Sequence, residues 1–244
     1  MKFSIITICY NASATVERTL RSVTGQTWAD REYIIIDGAS KDSTLDIISR
    51  YRDKVDILVS EPDKGLYDAM NKGMALATGD YVLFMNAGDR FHEDTTLEQI
   101  AAQVQDLDEL PGVIYGNTAL TNMAGEIYGM RRLSPPEHLD WKSFKNGMLV
   151  CHQAFYARRD LAEPYDLRYR FSADVDWCIR VMKKARNLHN THLIVADYLE
   201  DGSGVTIDNR KASLKERFAI MRKHYGLPST LLHHAWFAVR LLFK

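Results

Sequence analysis

The chain contains little that could brace it from outside its own core. Three of its 244 residues are cysteines, Cys9, Cys151 and Cys178. They are odd in number, far apart and in no Cys-x-x-Cys spacing, which argues against a disulfide framework or a structural zinc site. They read as buried thiols of a reducing compartment. No uncharged apolar run reaches the roughly 18 residues a membrane-spanning helix needs. Charge of one sign is also lacking: 31 Lys and Arg meet 32 Asp and Glu, so the basic field that non-specific nucleic-acid binding relies on is missing. No nucleic-acid partner is expected. The motifs G-x-G-x-x-G, G-x-x-x-x-G-K-[ST], H-E-x-x-H and G-x-S-x-G are absent, which removes the common signatures of dinucleotide, P-loop, zincin and α/β-hydrolase chemistry. The pairs His189/His192 and His233/His234 have no acidic or cysteine cluster beside them and read as surface histidines.

What is present is an ordinary globular composition, 46% apolar and 26% charged, patterned as strands alternating with helices. Apolar runs at residues 3–8, 32–36, 55–59 and 81–85 read as strands. Helical spacing follows each of the first three, with Val16, Leu20 and Val23, then Leu45, Ile47, Ile48 and Tyr51, then residues 66–77. Asp42 or Ser43 would cap the second helix, and Gly79 would close the third in a left-handed conformation. Short connections between such units predict a mostly parallel sheet in an α/β fold. Thr95-x-x-Glu98 has the form of a capping box opening a helix to Leu107. The order then changes. Residues 113–118 and 127–132 read as antiparallel strands, 152–157 as a short strand, 175–185 as a helix, 193–198 as a last strand and 212–224 as a final helix. No Gly/Ser or charged linker intervenes, so residues 1–210 are expected to form one domain with a helical extension at 211–244.

The first four strand runs end in polar residues: Asn11, Asp37, Asp63 and Asp89. In an open α/β sheet that edge is where ligands bind. Taken alone, each is also an ordinary turn former or helix cap. The run Tyr81-Val82-Leu83-Phe84-Met85, stopping at Asn86-Ala87-Gly88-Asp89, would deliver one carboxylate to the crevice.

Four segments carry a resemblance: residues 4–11, 33–44, 60–73 and 77–89. In order and spacing they resemble the family 2 glycosyltransferases with a GT-A fold, notably the bacterial branch that makes exopolysaccharide, colanic-acid-type and O-antigen polymers. The likeness spans about residues 3–205 and is densest in the first ninety. It implies a GT-A-type mixed sheet, with a Rossmann-like nucleotide-sugar-binding half at 1–92 and an acceptor and catalytic half at 93–210. It also implies an inverting transfer of sugar from a nucleotide-diphosphate donor, a UDP-sugar, to a saccharide hydroxyl. Ile8 and Tyr10 would flank the base, Asn11 would shape the turn, and Asp37 would accept the base's imide N–H. Asp63 and Lys64 would meet the nucleoside and phosphates, Lys64 as a point cation.

Asn86-Ala87-Gly88-Asp89 occupies the place of the family's Asp-x-Asp metal motif, with Asp89 on a divalent cation, Mg²⁺ or Mn²⁺. Here the chain departs from the pattern, since Asn86 and Gly88 stand where acids are frequent; Asn86 is expected among the nucleotide-binding residues, its amide oxygen helping the metal through water. In Ser172-Ala173-Asp174-Val175-Asp176-Trp177, Asp174 would be the general base. His152 and Gln153 would face the sugar or acceptor, and Trp177 could stack on a sugar or pack in the core. The weakened motif leaves open a nucleotide-sugar-binding protein without activity. A sugar nucleotidyltransferase is disfavoured, because no Gly-rich loop follows the first strand. The start of the chain is too short and polar for a signal peptide, so a cytoplasmic protein is expected. The apolar tail, residues 229–244, would lie on the membrane surface, where a lipid-linked acceptor is carried, or dock on the domain.

Overall fold

A computed structural model describes residues 1–200 and 209–242 of the chain. The apolar runs form strands β1 (Phe3–Cys9), β2 (Arg31–Asp37), β3 (Ile57–Ser60) and β4 (Tyr81–Phe84). Every residue of β1 and β4 is buried, which is why they read as continuous rather than alternating apolar runs. Between them lie helices α1 (Val16–Thr24), α2 (Thr44–Ser49) and α3 (Leu66–Leu76). β1 pairs in parallel with β2 on one side and β4 on the other, and β2 pairs in parallel with β3.

The second half adds β5 (Arg90–Phe91), α4 (Thr96–Val104), β6 (Val113–Thr121), β7 (Ile127–Met130), β8 (Phe155–Arg158), α5 (Ala173–Lys184) and β9 (Leu188–Leu199). One mixed sheet runs β3-β2-β1-β4-β8-β6-β9-β5, with β7 added on β6. β8 reverses direction against β4 and β6 against β8, whereas β9 runs parallel to β6. Helices α6 (Arg210–Tyr225) and α7 (Leu227–Leu242) close the described chain. A single buried cluster extends from Phe3 through Trp177 to Ile220 on α6. It is the mixed α/β sheet expected, parallel through its first four strands and mixed beyond them.

Three local expectations are corrected. Glu98 does not complete a capping box, because its carboxylate accepts from Thr27 Oγ1 at 2.7 Å while the Thr95 hydroxyl meets Glu93 and Gln99. Gly79 is not left-handed. Its hydrogen matters because an added Cβ would lie 2.7 Å from Lys2 O and from Ser4 Oγ, where the backbone crosses β1. Residues 152–154 form a 3₁₀ turn rather than the start of a strand, and β8 begins at Phe155. Asp42 does act at the start of α2, accepting from Thr44 N at 3.0 Å. The polar stretch at 201–205 lies outside the described residues.

Candidate active site

Parallel pairing sets the ends of β1, β2 and β3 side by side, with Cys9 opposite Asp37 and Asp37 opposite Ser60. The chain leaves β1 through Asn11 at φ 47° and β2 through Ala39 at φ 60°. Left-handed backbone at a non-glycine residue is costly and concentrates at functional turns. Here the two turns are stitched together. Asn11 N donates to Ser40 Oγ and Lys41 N to Asn11 Oδ1, both at 2.8 Å. Asn11 therefore shapes the turn as expected. Ile8 is buried behind it, and the Tyr10 ring is 63% exposed over the edge. A Cβ on Gly38 would fall 2.6 Å from Asp63 Oδ2 and 3.2 Å from Tyr10 Cδ2, so glycine is what lets these two groups close on one spot. The Lys64 side chain is exposed beside them.

Asp37 lies deeper than the resemblance implies. It is fully buried, and its carboxylate accepts from Ser40 N at 3.0 Å, from Ser60 Oγ at 2.6 Å and from the Ser40 hydroxyl. For Asp37 to accept a base N–H, one serine hydroxyl must turn away.

After β4 the turn 86–89 is pinned to α1. Asp89 N donates to Asn86 O at 2.9 Å, Gly88 N to Thr19 Oγ1 at 2.9 Å, and that hydroxyl to Asp89 O at 2.7 Å. Gly88 stands at φ 106°, and a Cβ there would lie 2.8 Å from Leu199 Cδ2. The backbone thus disfavours the acidic residue common at this position. The Asp89 carboxylate is buried, 5% exposed. Oδ2 accepts from Gln153 Nε2 at 2.5 Å and Oδ1 from Leu199 N at 3.0 Å, which ties the turn to the end of β9.

Asp174 is different. It sits in the first turn of α5 and is half-buried. Oδ1 accepts from Tyr67 Oη and Val175 N, both at 3.0 Å, whereas Oδ2 has no hydrogen-bond partner among the described residues. Burial first, and the Asp174 charge second, push the Tyr67 hydroxyl well above its ordinary range, so it stays a donor. Tyr67 lies two residues past Gly65, so this bond brings the end of the Asp63–Lys64 loop to the Asp174 carboxylate.

The structure places the other three expected residues, His152, Gln153 and Trp177, in the interior. His152 is 6% exposed, its Nε2 is 2.6 Å from Tyr165 Oη, and its ring stacks on Phe84 at 4.9 Å. Burial lowers its pKa to about 4, so it stays neutral. Gln153 is 5% exposed and spends its amide on Asp89 and on Cys151 Sγ, the latter at 3.0 Å. Trp177 is fully buried, donates Nε1–H to Glu163 O at 2.8 Å and stacks on Tyr165 at 5.0 Å. All three are packed inside, Gln153 directly against Asp89. Tyr67, which sequence reasoning missed as a site residue, lay inside the matching segment 60–73 and read there only as a helix position.

Among the described residues no group of three or more His, Cys, Asp and Glu could hold a metal ion. The donor set nonetheless fits a loosely held hard cation. Asn86 Oδ1 is buried without a partner, and Asp89 adjoins it in the same turn. Mg²⁺ is commonly held by one or two protein oxygens, with substrate phosphates and water completing the shell.

Comparison with known proteins agrees with this geometry. The profile of glycosyl transferase family 2 matches residues 4–164. A PGL/p-HBAD biosynthesis glycosyltransferase of Mycobacterium bovis is 37% identical over 210 residues, 82% of this chain and 77% of its own. The amylovoran biosynthesis glycosyltransferase AmsB of Erwinia amylovora is 28% identical, covering 93% and 84%. In fold, the chain is similar to S. aureus TarS 1-349 in complex with UDP-GlcNAc, with TM-score 0.71 and 19% identity over 91% of this chain. It spans 65% of that TarS fragment. A mannosyltransferase of Pyrobaculum calidifontis, in complex with GDP-Man and Mn²⁺, aligns with TM-score 0.59 and 14% identity over 98% of this chain and 80% of its own.

Proposed function

The chain belongs to glycosyltransferase family 2, and on that premise we propose an inverting transferase that moves a sugar from a UDP-sugar to a hydroxyl of a growing saccharide. One observation carries the reading: the Asp174 carboxylate is anchored at Oδ1 by Tyr67 and, among the described residues, left without a hydrogen-bond partner at Oδ2. A general base needs one oxygen fixed for direction and one free for the proton. In a single displacement Asp174 Oδ2 takes the acceptor's hydroxyl proton as that oxygen attacks the anomeric carbon. The nucleoside diphosphate leaves from the opposite face.

Residues 1–92 serve as the donor half and 93–210 as the acceptor half of one domain, with 211–244 as a helical extension. Tyr10 and the turn held by Asn11 flank the base, and Ile8 backs them. Asp37 accepts the base N–H on release of a serine hydroxyl, while Asp63 and Lys64 meet the ribose and diphosphate. Asn86 and Asp89 would hold a divalent cation, which supplies positive charge against that gathering on the leaving group.

The acceptor is assigned as a lipid-linked saccharide of surface-polymer synthesis. Supporting this, AmsB is named for amylovoran biosynthesis and the mycobacterial relative for PGL/p-HBAD biosynthesis. The C-terminal helices would bring the enzyme to the cytoplasmic face of an anionic membrane. Residues 210–242 carry seven Lys or Arg and one acid, Glu216, in a chain otherwise rich in acid. Leu231, Leu232, Trp236 and Val239 lie exposed along α7, the pattern of an interfacial helix. No described helix is long and apolar enough to cross a membrane. Deleting 229–244 should abolish sedimentation with anionic vesicles; unchanged sedimentation contradicts the membrane contact.

The test of activity is a panel of nucleotide sugars with a saccharide acceptor, with and without Mg²⁺ or Mn²⁺, the anomeric configuration of the product read by NMR. Transfer from a UDP-sugar with inversion is expected. Retention would overturn the mechanism, and donor binding without any transfer or hydrolysis would favour a nucleotide-sugar-binding protein instead.

A further inference from the structure

The segment that leads into the Asp174 helix is held from outside the stretch matched by the family profile, which ends at residue 164. Ser172 is the N-cap of α5, yet its side chain makes no cap hydrogen bond. Its hydroxyl instead pairs with Ser213 Oγ on α6 at 2.8 Å, both residues being almost wholly buried. One turn further along α6, Glu216 accepts two consecutive backbone amides of the approach, Arg170 N at Oε1 and Phe171 N at Oε2, each at 2.8 Å. A carboxylate spanning two adjacent N–H groups fixes the peptide plane between them as well as their position.

The far side of the same helix is fastened too. Asp176, fully buried, pairs with Arg180 Nε, Lys223 Nζ and His224 Nε2, each at 2.8 Å. Of these, Lys223 and His224 lie on α6. Burial opposes the Asp176 charge, but these three partners outweigh it and hold the carboxyl below its usual range. Ile220 and Met221 seat α6 in the core. In the first turn of α5, Asp174 has among the described residues the Tyr67 hydroxyl and its neighbour's amide alone to steer it, so its direction follows the backbone of 170–173.

We propose that Glu216 is a positioning residue for the transfer: with Ser213 it clamps Arg170–Ser172 and thereby aims the Asp174 carboxylate at the acceptor hydroxyl. The proposal rests on the reading of Asp174 as the base. It makes α6 part of the catalytic apparatus as well as the root of the C-terminal helices.

The test uses the full chain and four variants: Glu216→Ala, Glu216→Gln, Asp174→Asn and the double Asp174→Asn/Glu216→Ala. Glu216→Ala should lower kcat by about ten- to a hundredfold, the scale on which misplacing a catalytic group acts, while donor KM and the Kd for UDP stay within about twofold. Glu216→Gln, which keeps one acceptor oxygen, should recover part of kcat, and it carries the test if the alanine variant does not fold. Because Glu216 acts through Asp174, the double variant should be no slower than Asp174→Asn alone. The positioning role is overturned if a folded Glu216→Ala keeps kcat within twofold, if kcat and UDP binding fall together, or if the two losses multiply. Should Asp174→Asn itself transfer sugar normally, the base assignment fails, and that outcome is separate from the others.

Discussion

Asp89, in the turn after β4, and Asp174, in the first turn of α5, are the two carboxylates proposed for the cation and for the base, and they are built to opposite plans. Asp89 is buried, with Gln153 on one oxygen and Leu199 N on the other. Asp174 is half-buried, with Oδ1 bonded and Oδ2 open. A carboxylate with both oxygens engaged organises backbone; one with a free oxygen can exchange a proton. The turn proposed for the cation is thus also a joint between β4 and β9, and the proposed base stands on a different element, α5.

That contrast is broken or sharpened by substitution, beginning where the effect is largest. Asp174→Asn keeps the Tyr67 contact and removes the base, so turnover should fall about 10²- to 10⁴-fold with the fold intact. Asp89→Asn should act chiefly on stability. An amide in place of the carboxylate sets donor against donor at Gln153 or Leu199, costing about 2–4 kcal/mol, read as a lower urea midpoint. If Asp89→Asn instead leaves the midpoint alone and abolishes only metal-dependent turnover, the contrast is wrong.

The legible parts of the site were those written in local pattern. The runs at 3–8 and 81–85 announce buried parallel strands, and the polar residues that end them land on one edge because parallel register leaves no other place. Asn11 reads correctly as a turn residue for the same reason. Partners distant in sequence were not legible. Glu98 fits a capping box until Thr27, 71 residues away, takes its carboxylate. The resemblance put His152 and Gln153 against substrate and left Trp177 between a sugar and the core, and no local pattern says which side of a 3₁₀ turn or a helix meets the core. Glu216 gave no signal at all, since its partners are backbone amides 45 and 46 residues away.

Two smaller substitutions refine the comparison. Gly88→Asp, which restores the family's common acid, should destabilise by about 1–3 kcal/mol through positive φ and the Leu199 contact, and should not tighten Mn²⁺ binding in a calorimetric titration. Tyr67→Phe keeps the stack on Tyr165, 5.4 Å between centroids, and removes only the bond to Asp174. A drop in kcat of about two- to tenfold is expected, with unfolding little changed.

The division of labour is tested most directly by titrating UDP into Asp174→Asn in a calorimeter. The proposed donor edge is assembled from β1 to β4, and Asp174→Asn keeps an acceptor oxygen for Tyr67, so the Kd should stay within about twofold of the wild type while transfer is lost. A variant that no longer binds UDP, or one that binds it and still turns over at the normal rate, would contradict the assignment of Asp174 as the base.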